Sequence, residues 1–172
     1  MSDRFAHQLR LNDIGDGTRL TLVADEQERK AVARRLALPS IERLEAHVTL
    51  SRAGEVVRAE GRLIAALEQS CVVTGDPVSA RIDEPFLIQF IPEPSAEPDD
   101  EVELGEADCD TVFHDGSVID LGTAIADTLA LSVDPYPRSA GADAALKEAG
   151  VLTPEQASPF AVLAALKGRN EN

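Results

Sequence analysis

Aromatic residues are scarce in this sequence. Its 172 residues include no tryptophan, one tyrosine and five phenylalanines. Proteins that read single-stranded RNA stack unpaired bases on aromatic side chains, and few such platforms are possible here. The composition therefore disfavours a protein that recognises unpaired bases.

Cysteine and long apolar runs are also lacking. The two cysteines, Cys71 and Cys109, are too few for a disulfide framework, and neither has a basic neighbour that would lower its pKa. No apolar run approaches the roughly 20 residues of a membrane helix. The polar start of the chain, through Leu11, lacks the apolar centre of an export signal. We therefore expect a cytoplasmic protein.

Motifs that carry catalysis or hold a cofactor are missing as well. The histidines, His7, His47 and His114, are far apart and have no metal-ligand spacing. No serine lies in a Gly-x-Ser-x-Gly turn, and Gly15 and Gly17 lack the third glycine of a dinucleotide fingerprint. We therefore predict a protein that is not an enzyme and that needs no cofactor and no metal.

Positive charge is almost absent from the second half of the chain. Residues 92–172 carry 4 lysines and arginines against 17 aspartates and glutamates, a net charge of -13 out of a total of -15. Residues 1–91 carry 12 against 14, so they are nearly neutral. Such a field repels phosphate backbones and attracts basic proteins. Simple solubility is the alternative explanation.

Residues 1–91 predict an antiparallel sheet with one helix at 25–38. Asp25 and Glu28 have the spacing of a capping box, and Pro39 forbids continuation of the helix. Short strands are expected at 5–11 and 19–23. Strict apolar alternation over 43–50 and 57–68 predicts a long hairpin. A second hairpin is predicted from a further strand into 71–73, a break at 74–77 and a return strand over 78–90.

Residues 92–110 change character, with three prolines, nine acidic residues and no lysine or arginine. Like charges within a Debye length of about 8 Å repel one another, which favours an acidic flexible linker. Alternatively, the segment folds against a basic partner.

Residues 111–172 predict a helical C-terminal part that packs on the sheet. After a brief strand at 118–119, Asp120 caps a helix whose apolar face extends to Leu131. A helical turn near 144–148 and a helix at 158–167 follow. The expected fold class is α+β in one domain: an antiparallel β-meander sheet with one N-terminal helix and C-terminal helices packed on it.

Three segments resemble the YceD family of large ribosomal RNA accumulation proteins, found in bacteria and plastids. They read QSCVVTGDPV from Gln69, VIDLG from Val118 with DPYPR from Asp134, and SPFAVLAALK from Ser158. The resemblance covers roughly residues 40–169. It implies a role in the synthesis, processing or stability of large-subunit ribosomal RNA. Members are commonly encoded beside a small basic protein of the large subunit, which implies such a protein as partner.

One departure from the family concerns metal binding. Many members carry a Cys-x-x-Cys pair where this chain has Cys71 followed by Val72, Val73 and Thr74. A single thiolate cannot complete a tetrahedral zinc site, so a metal role that relatives imply does not transfer to this sequence.

The sequence thus predicts a non-enzymatic factor in large-subunit biogenesis that binds a basic ribosomal protein or an assembly intermediate. The expected contacts are Asp99, Asp100, Glu101 and Glu103 in the linker and Asp134, Tyr136 and Arg138 after the second helix. The last three are alternatively explained as residues that end the helix.

The second hypothesis is a protein that binds precursor ribosomal RNA directly. Its contacts would be Arg34, Arg35, Arg58 and Arg62. Interleaved glutamates cancel much of this positive field.

Overall fold

The computed structural model describes residues 5–93 and 110–151 and has an α+β fold. Its elements in chain order are β1 (Gln8–Arg10), a short 3-10 helix (Leu11–Asp13), β2 (Thr18–Val23), α1 (Glu26–Arg35), β3 (Ser40–Ala53), β4 (Val56–Ser70), β5 (Pro77–Pro92), β6 (Asp110–His114), β7 (Val118–Asp120), α2 (Leu121–Ser132) and α3 (Ala142–Glu148).

Five strands form the main sheet in the order β2-β3-β4-β5-β6, and β1 pairs with β7 in a separate two-stranded sheet. The predicted hairpin of β3 and β4 is confirmed, and Leu44 lies opposite Ala65 while His47 lies opposite Arg62. Because side chains alternate across a strand, the first pair faces the core and the second faces solvent. One face of this sheet is therefore covered and the other is open.

The second hairpin uses β4 itself instead of the additional strand expected at 71–73. β4 continues without a break to Ser70, and the backbone N–H of Cys71 donates to the carbonyl of Asp76 at 2.8 Å. Gly75 adopts a φ of 77°, which a residue without a Cβ accepts at no steric cost. A tight turn therefore joins β4 to β5.

β6 is a strand that the sequence analysis missed, and it lies parallel to β5. Ile88 pairs with Asp110, and Phe90 pairs with Val112. Parallel neighbours need a crossover connection of a dozen residues or more, and residues 93–109 provide it. The acidic segment thus connects two neighbouring strands of one sheet, and does not simply join a sheet to a helical region.

α1 begins as the sequence predicts and ends before the predicted residue 38. The Asp25 carboxylate accepts the N–H of Glu28 at 2.8 Å, and the Glu28 carboxylate accepts the N–H of Asp25 at 2.9 Å. At the other end Ala37 has a φ of 53°, and the N–H of Leu38 donates to the carbonyl of Ala33 at 2.9 Å. This is the bond pattern of a Schellman motif, which ends the helix at Arg35.

α2 confirms its predicted cap and corrects its predicted apolar face. Asp120 accepts the N–H of Thr123 at 3.0 Å. Leu121, Ile125 and Leu129 are fully buried, whereas Leu131 is 75% exposed. Leu131 follows Leu129 by two residues, or about 200° around the axis, so it faces away from the core.

The chain divides into two compact units. The larger unit is 1–69 with 79–135, and it contains both sheets and one continuous apolar core. The smaller unit is 70–78 with 136–172, and its described part contains the turn after β4 and α3. The helix expected at 158–167 lies outside the described residues. The boundaries 1–91, 92–110 and 111–172 within one domain stay a prediction.

Candidate functional site

The acidic segment starts and ends at one edge of the main sheet. Asp99, Asp100, Glu101 and Glu103 lie outside the described residues, but the residues that flank the gap are placed. Glu93 follows β5, and its N–H donates to the carbonyl of His114 at 3.0 Å. Asp110 begins β6 and is exposed, as is Glu93. Both ends of the segment therefore lie beside β6.

The residues expected after the second helix are divided between the two units. In the larger unit, the backbone carbonyl of Asp134 accepts the side-chain amide of the buried Gln69 at 2.7 Å. In the smaller unit, Tyr136 is 74% exposed, and the guanidinium of Arg138 donates to the Asp143 carboxylate at 3.2 Å. The backbone of Asp134 thus has a structural role, while Tyr136 presents its ring to solvent.

The Cys71 sulfur is buried and accepts three backbone N–H groups. The donors are Val73 and Thr74, each at 3.4 Å, and Ser139 at 3.3 Å. Hydrogen bonds from Ser139, through its side chain and its backbone, and from Thr74 lower the pKa of the Cys71 thiol from 9.0 to about 6. The thiolate is therefore favoured without any basic neighbour.

Sequence reasoning missed this effect because it searched for a cation near Cys71. The turn after β4 aims its own N–H groups at the sulfur, and Ser139, 68 residues away in sequence, adds another. The first contribution could have been inferred from the glycine-containing turn, but the second depends on the fold.

His114 has a structural role that its side-chain contacts explain. Its Nδ1 accepts the N–H of Gly116 at 3.0 Å, so Nε2 carries the hydrogen and donates to the carbonyl of Glu55 at 2.8 Å. The ring is 6% exposed, and both nitrogens are satisfied.

The four arginines of the RNA-binding hypothesis do not form one surface. Arg34 and Arg35 are on α1, which contributes Val32 to the apolar core on the covered side of the sheet. Arg58 and Arg62 occupy the exposed alternate positions of β4, on its open face. Arg35 forms an ion pair with Asp127, and Arg62 forms one with Asp83.

A surface that the sequence did not reveal lies between β6 and α2, and we call it the β6–α2 groove. Two cavities of about 370 Å³ and 250 Å³ share Val112, Ala124 and Asp127 in their walls. The other acidic residues that line them are Glu93, Asp110, Asp115 and Asp120. Among the residues that the structure describes, no lysine or arginine lines either cavity, and five carboxylates do, so the described walls of this groove are acidic.

The β6–α2 groove also has apolar walls. Ile88 and Val112 line the smaller cavity, and Leu131 stands at its margin with most of its side chain exposed. Phe113 lines the larger cavity and is 53% exposed. The sequence could not indicate this arrangement, because it depends on the pairing of β6 with β5.

Neither a metal-binding cluster nor a membrane-spanning helix is present in the part of the chain that the structure describes. Within residues 5–93 and 110–151, no group of three or more His, Cys, Asp or Glu side chains could hold a metal ion. Of the helices in that part of the chain, none is long and apolar enough to cross a bilayer.

Comparison with known proteins gives one family. No curated protein and no solved structure matched the chain. A family model described as large ribosomal RNA subunit accumulation protein YceD matches residues 59–167. The match covers more than half of the 172 residues, including β5, β6, α2 and the acidic segment. The chain therefore belongs to the YceD family, whose description implies involvement in the accumulation of large-subunit ribosomal RNA.

Proposed function

We propose that this chain is a non-enzymatic factor in biogenesis of the large ribosomal subunit, which binds a basic ribosomal protein or an assembly intermediate. Family membership supports the process, since the family description refers to accumulation of large-subunit RNA. The observation that carries the binding role is the charge of residues 92–172, which is -13. A cationic protein is the partner that this charge attracts most strongly.

The proposed contacts are the linker carboxylates of Asp99, Asp100, Glu101 and Glu103, with Asp134, Tyr136 and Arg138 beyond α2. The linker carboxylates supply long-range attraction, which mainly speeds the encounter of partners and adds specificity. Tyr136 adds an exposed ring that a partner can cover.

Contact with RNA is indirect in this proposal. Binding to a phosphate backbone requires several lysines and arginines that release counterions together. Here the relevant arginines are distributed over two sides of the sheet, and carboxylates neutralise Arg35 and Arg62. The partner protein therefore provides the contact with ribosomal RNA.

The process is tested by deleting the gene and measuring the ratio of large-subunit to small-subunit ribosomal RNA. We expect the ratio to fall and to recover when the intact gene is restored. An unchanged ratio would contradict a role in large-subunit biogenesis.

The binding role is tested by titrating the purified chain with each purified basic protein of the large subunit. A variant with Asp99→Asn, Asp100→Asn, Glu101→Gln and Glu103→Gln should bind about tenfold more weakly and with a shallower salt dependence. The matched control carries Asp13→Asn, Asp16→Asn, Glu42→Gln and Glu60→Gln, which change the net charge equally at exposed positions of residues 1–91.

Two results would contradict the binding role. Equal losses in the two variants would show that only total charge matters. Tight binding of naked ribosomal RNA, lost in an Arg58→Ala and Arg62→Ala variant, together with no affinity for basic proteins, would establish the RNA-binding hypothesis instead.

A further inference from the structure

Within residues 5–93 and 110–151, the β6–α2 groove offers a partner open space and several carboxylates outside ion pairs. Asp127 in its wall pairs with Arg35, and Asp120 caps α2. Glu93 and Asp110, in contrast, form no ion pair with any residue in the described ranges. Their carboxylates stand at the margin of the groove and are exposed.

Asp115 is a third carboxylate that is fixed in its charged form. Hydrogen bonds from the hydroxyl and the backbone N–H of Ser117, and from the N–H of Val118, lower its pKa. Asp115 lines the larger cavity, so its charge adds to that of Glu93. These hydrogen bonds therefore favour the charged form of Asp115.

The apolar part of the groove indicates that a partner makes more than electrostatic contact. Leu131 exposes 75% of its surface although it is on a helix whose other leucines are fully buried. Exposed apolar patches rimmed by polar residues mark interaction sites, and the exposed Phe113 and Leu131 both line this groove. The aliphatic stems of lysine and arginine pack well on such a surface while their charged ends reach the carboxylates.

We propose that the β6–α2 groove seats a lysine- or arginine-rich segment of a protein partner. This inference rests on the proposed function, because it places the basic partner of this chain on the folded larger unit. The charge of the groove selects a cationic occupant and repels a nucleic acid. A second copy of this chain, with its own net charge of -15, is repelled in the same way.

The position of the groove is consistent with capture of a basic partner segment by the acidic linker. Residues 94–109 join Glu93 to Asp110, and both of these flanking residues line the groove. A basic segment that contacts the linker next to Glu93 or Asp110 is therefore close to the groove. The linker increases the encounter rate, and the groove supplies short-range complementarity.

The first test measures binding of the basic large-subunit proteins to a Glu93→Lys and Asp110→Lys variant of the full chain. We expect affinity to fall about tenfold or more. The control is a Glu42→Lys and Glu60→Lys variant, which makes the same charge change at exposed positions of β3 and β4 and should bind nearly as well as the parent. A Leu131→Ser variant should lose about threefold to tenfold. Unchanged melting temperatures would show that each variant is folded.

The second test locates the occupant by NMR of the isotope-labelled full chain. The probe is a short synthetic peptide that alternates lysine with valine. Amide shifts concentrated in 110–114 and 121–131 are expected. Shifts confined to the open face of the sheet, or no shifts in those two ranges, would overturn the proposal.

The two tests separate failure of the groove from failure of the proposed function. If the basic ribosomal proteins bind the groove variants as tightly as the parent, the proposed role of the groove is wrong and the linker alone accounts for binding. If no basic ribosomal protein binds the parent, the proposed function fails, and the peptide footprint still decides whether the groove accepts cationic segments.

Discussion

The larger unit is built around a continuous apolar core, whereas the described part of the smaller unit is organised around hydrogen bonds to one buried sulfur. The core includes residues from both sheets and from α1 and α2. In the smaller unit, Cys71 collects N–H groups from its own turn and from Ser139. Packing thus dominates one unit, and polar contacts are prominent in the other.

This difference determines which measurement responds to a substitution. A core substitution that removes atoms leaves a cavity, and one that adds atoms causes a steric clash. The cost of either appears in the free energy of unfolding. Loss of a hydrogen bond to an ionisable group appears first in the pKa of that group. Core substitutions in the larger unit should therefore change the free energy of unfolding, and a substitution at Ser139 in the smaller unit should change the pKa of Cys71.

The largest effect is expected for Gly61→Ala in β4. A Cβ at this position would lie 2.0 Å from the carbonyl oxygen of His47 and 2.9 Å from Cζ of Phe86. The neighbouring backbone would have to move, at a cost of about 4 kcal/mol or more in a urea unfolding experiment. The control is Gly141→Ala in the smaller unit, where nothing lies within 4 Å of the added Cβ. Equal stability of the two variants would show that β3 and β4 are not packed closely here.

The next effect is expected for Leu129→Ala on α2. Leu129 is fully buried, so its truncation should cost about 2–5 kcal/mol of unfolding free energy. Leu131→Ala, on the same helix but 75% exposed, should change stability by less than about 0.5 kcal/mol. Similar unfolding midpoints for both variants would show that α2 is not packed in the core.

The smallest effect concerns ionisation of Cys71 and is measured by the ultraviolet absorbance of the thiolate against pH. In a Cys109→Ser background, we expect Cys71 to titrate with a pKa of about 6. Ser139→Ala removes the hydroxyl that makes the leading contribution, so the pKa should rise toward 9.0. No change in pKa would show that the Ser139 hydroxyl does not stabilise the thiolate, because the backbone N–H of residue 139 is kept in this variant.

Ionisation of Cys71 also makes the free energy of unfolding depend on pH. Because folding lowers the pKa of Cys71 from 9.0 to about 6, the folded state holds fewer protons between these values. The thiolate therefore stabilises the fold fully at high pH, and this contribution is lost as the pH falls through about 6. A Cys71→Ser variant should lack that part of the pH dependence.

Local patterns were sufficient for several elements. Alternation of apolar residues predicted β3 and β4 with their correct facing, and the spacing of Asp25 and Glu28 predicted the start of α1. Asp120 was identified as the cap of α2 in the same way. These features depend on residues a few positions apart, which interact whatever the rest of the chain does.

Family membership was also visible in the sequence, since the segments from Gln69, Val118 and Ser158 indicated the family that the comparison found. The linker carboxylates and the residues after α2 stay predictions, because their role depends on a partner. Leu131 shows the limit of a hydrophobicity pattern: its apolar character was correct, but its orientation was not.

The sequence by itself determined the α+β class, the hairpin of β3 and β4, the starts of α1 and α2 and the charge asymmetry, because each follows from neighbouring residues or from composition. Only the tertiary structure decided that β6 pairs with β5 across residues 93–109, that Ser139 reaches Cys71, and that an acidic groove lies between β6 and α2. These features join residues far apart in sequence, and no local pattern encodes which distant segments will meet.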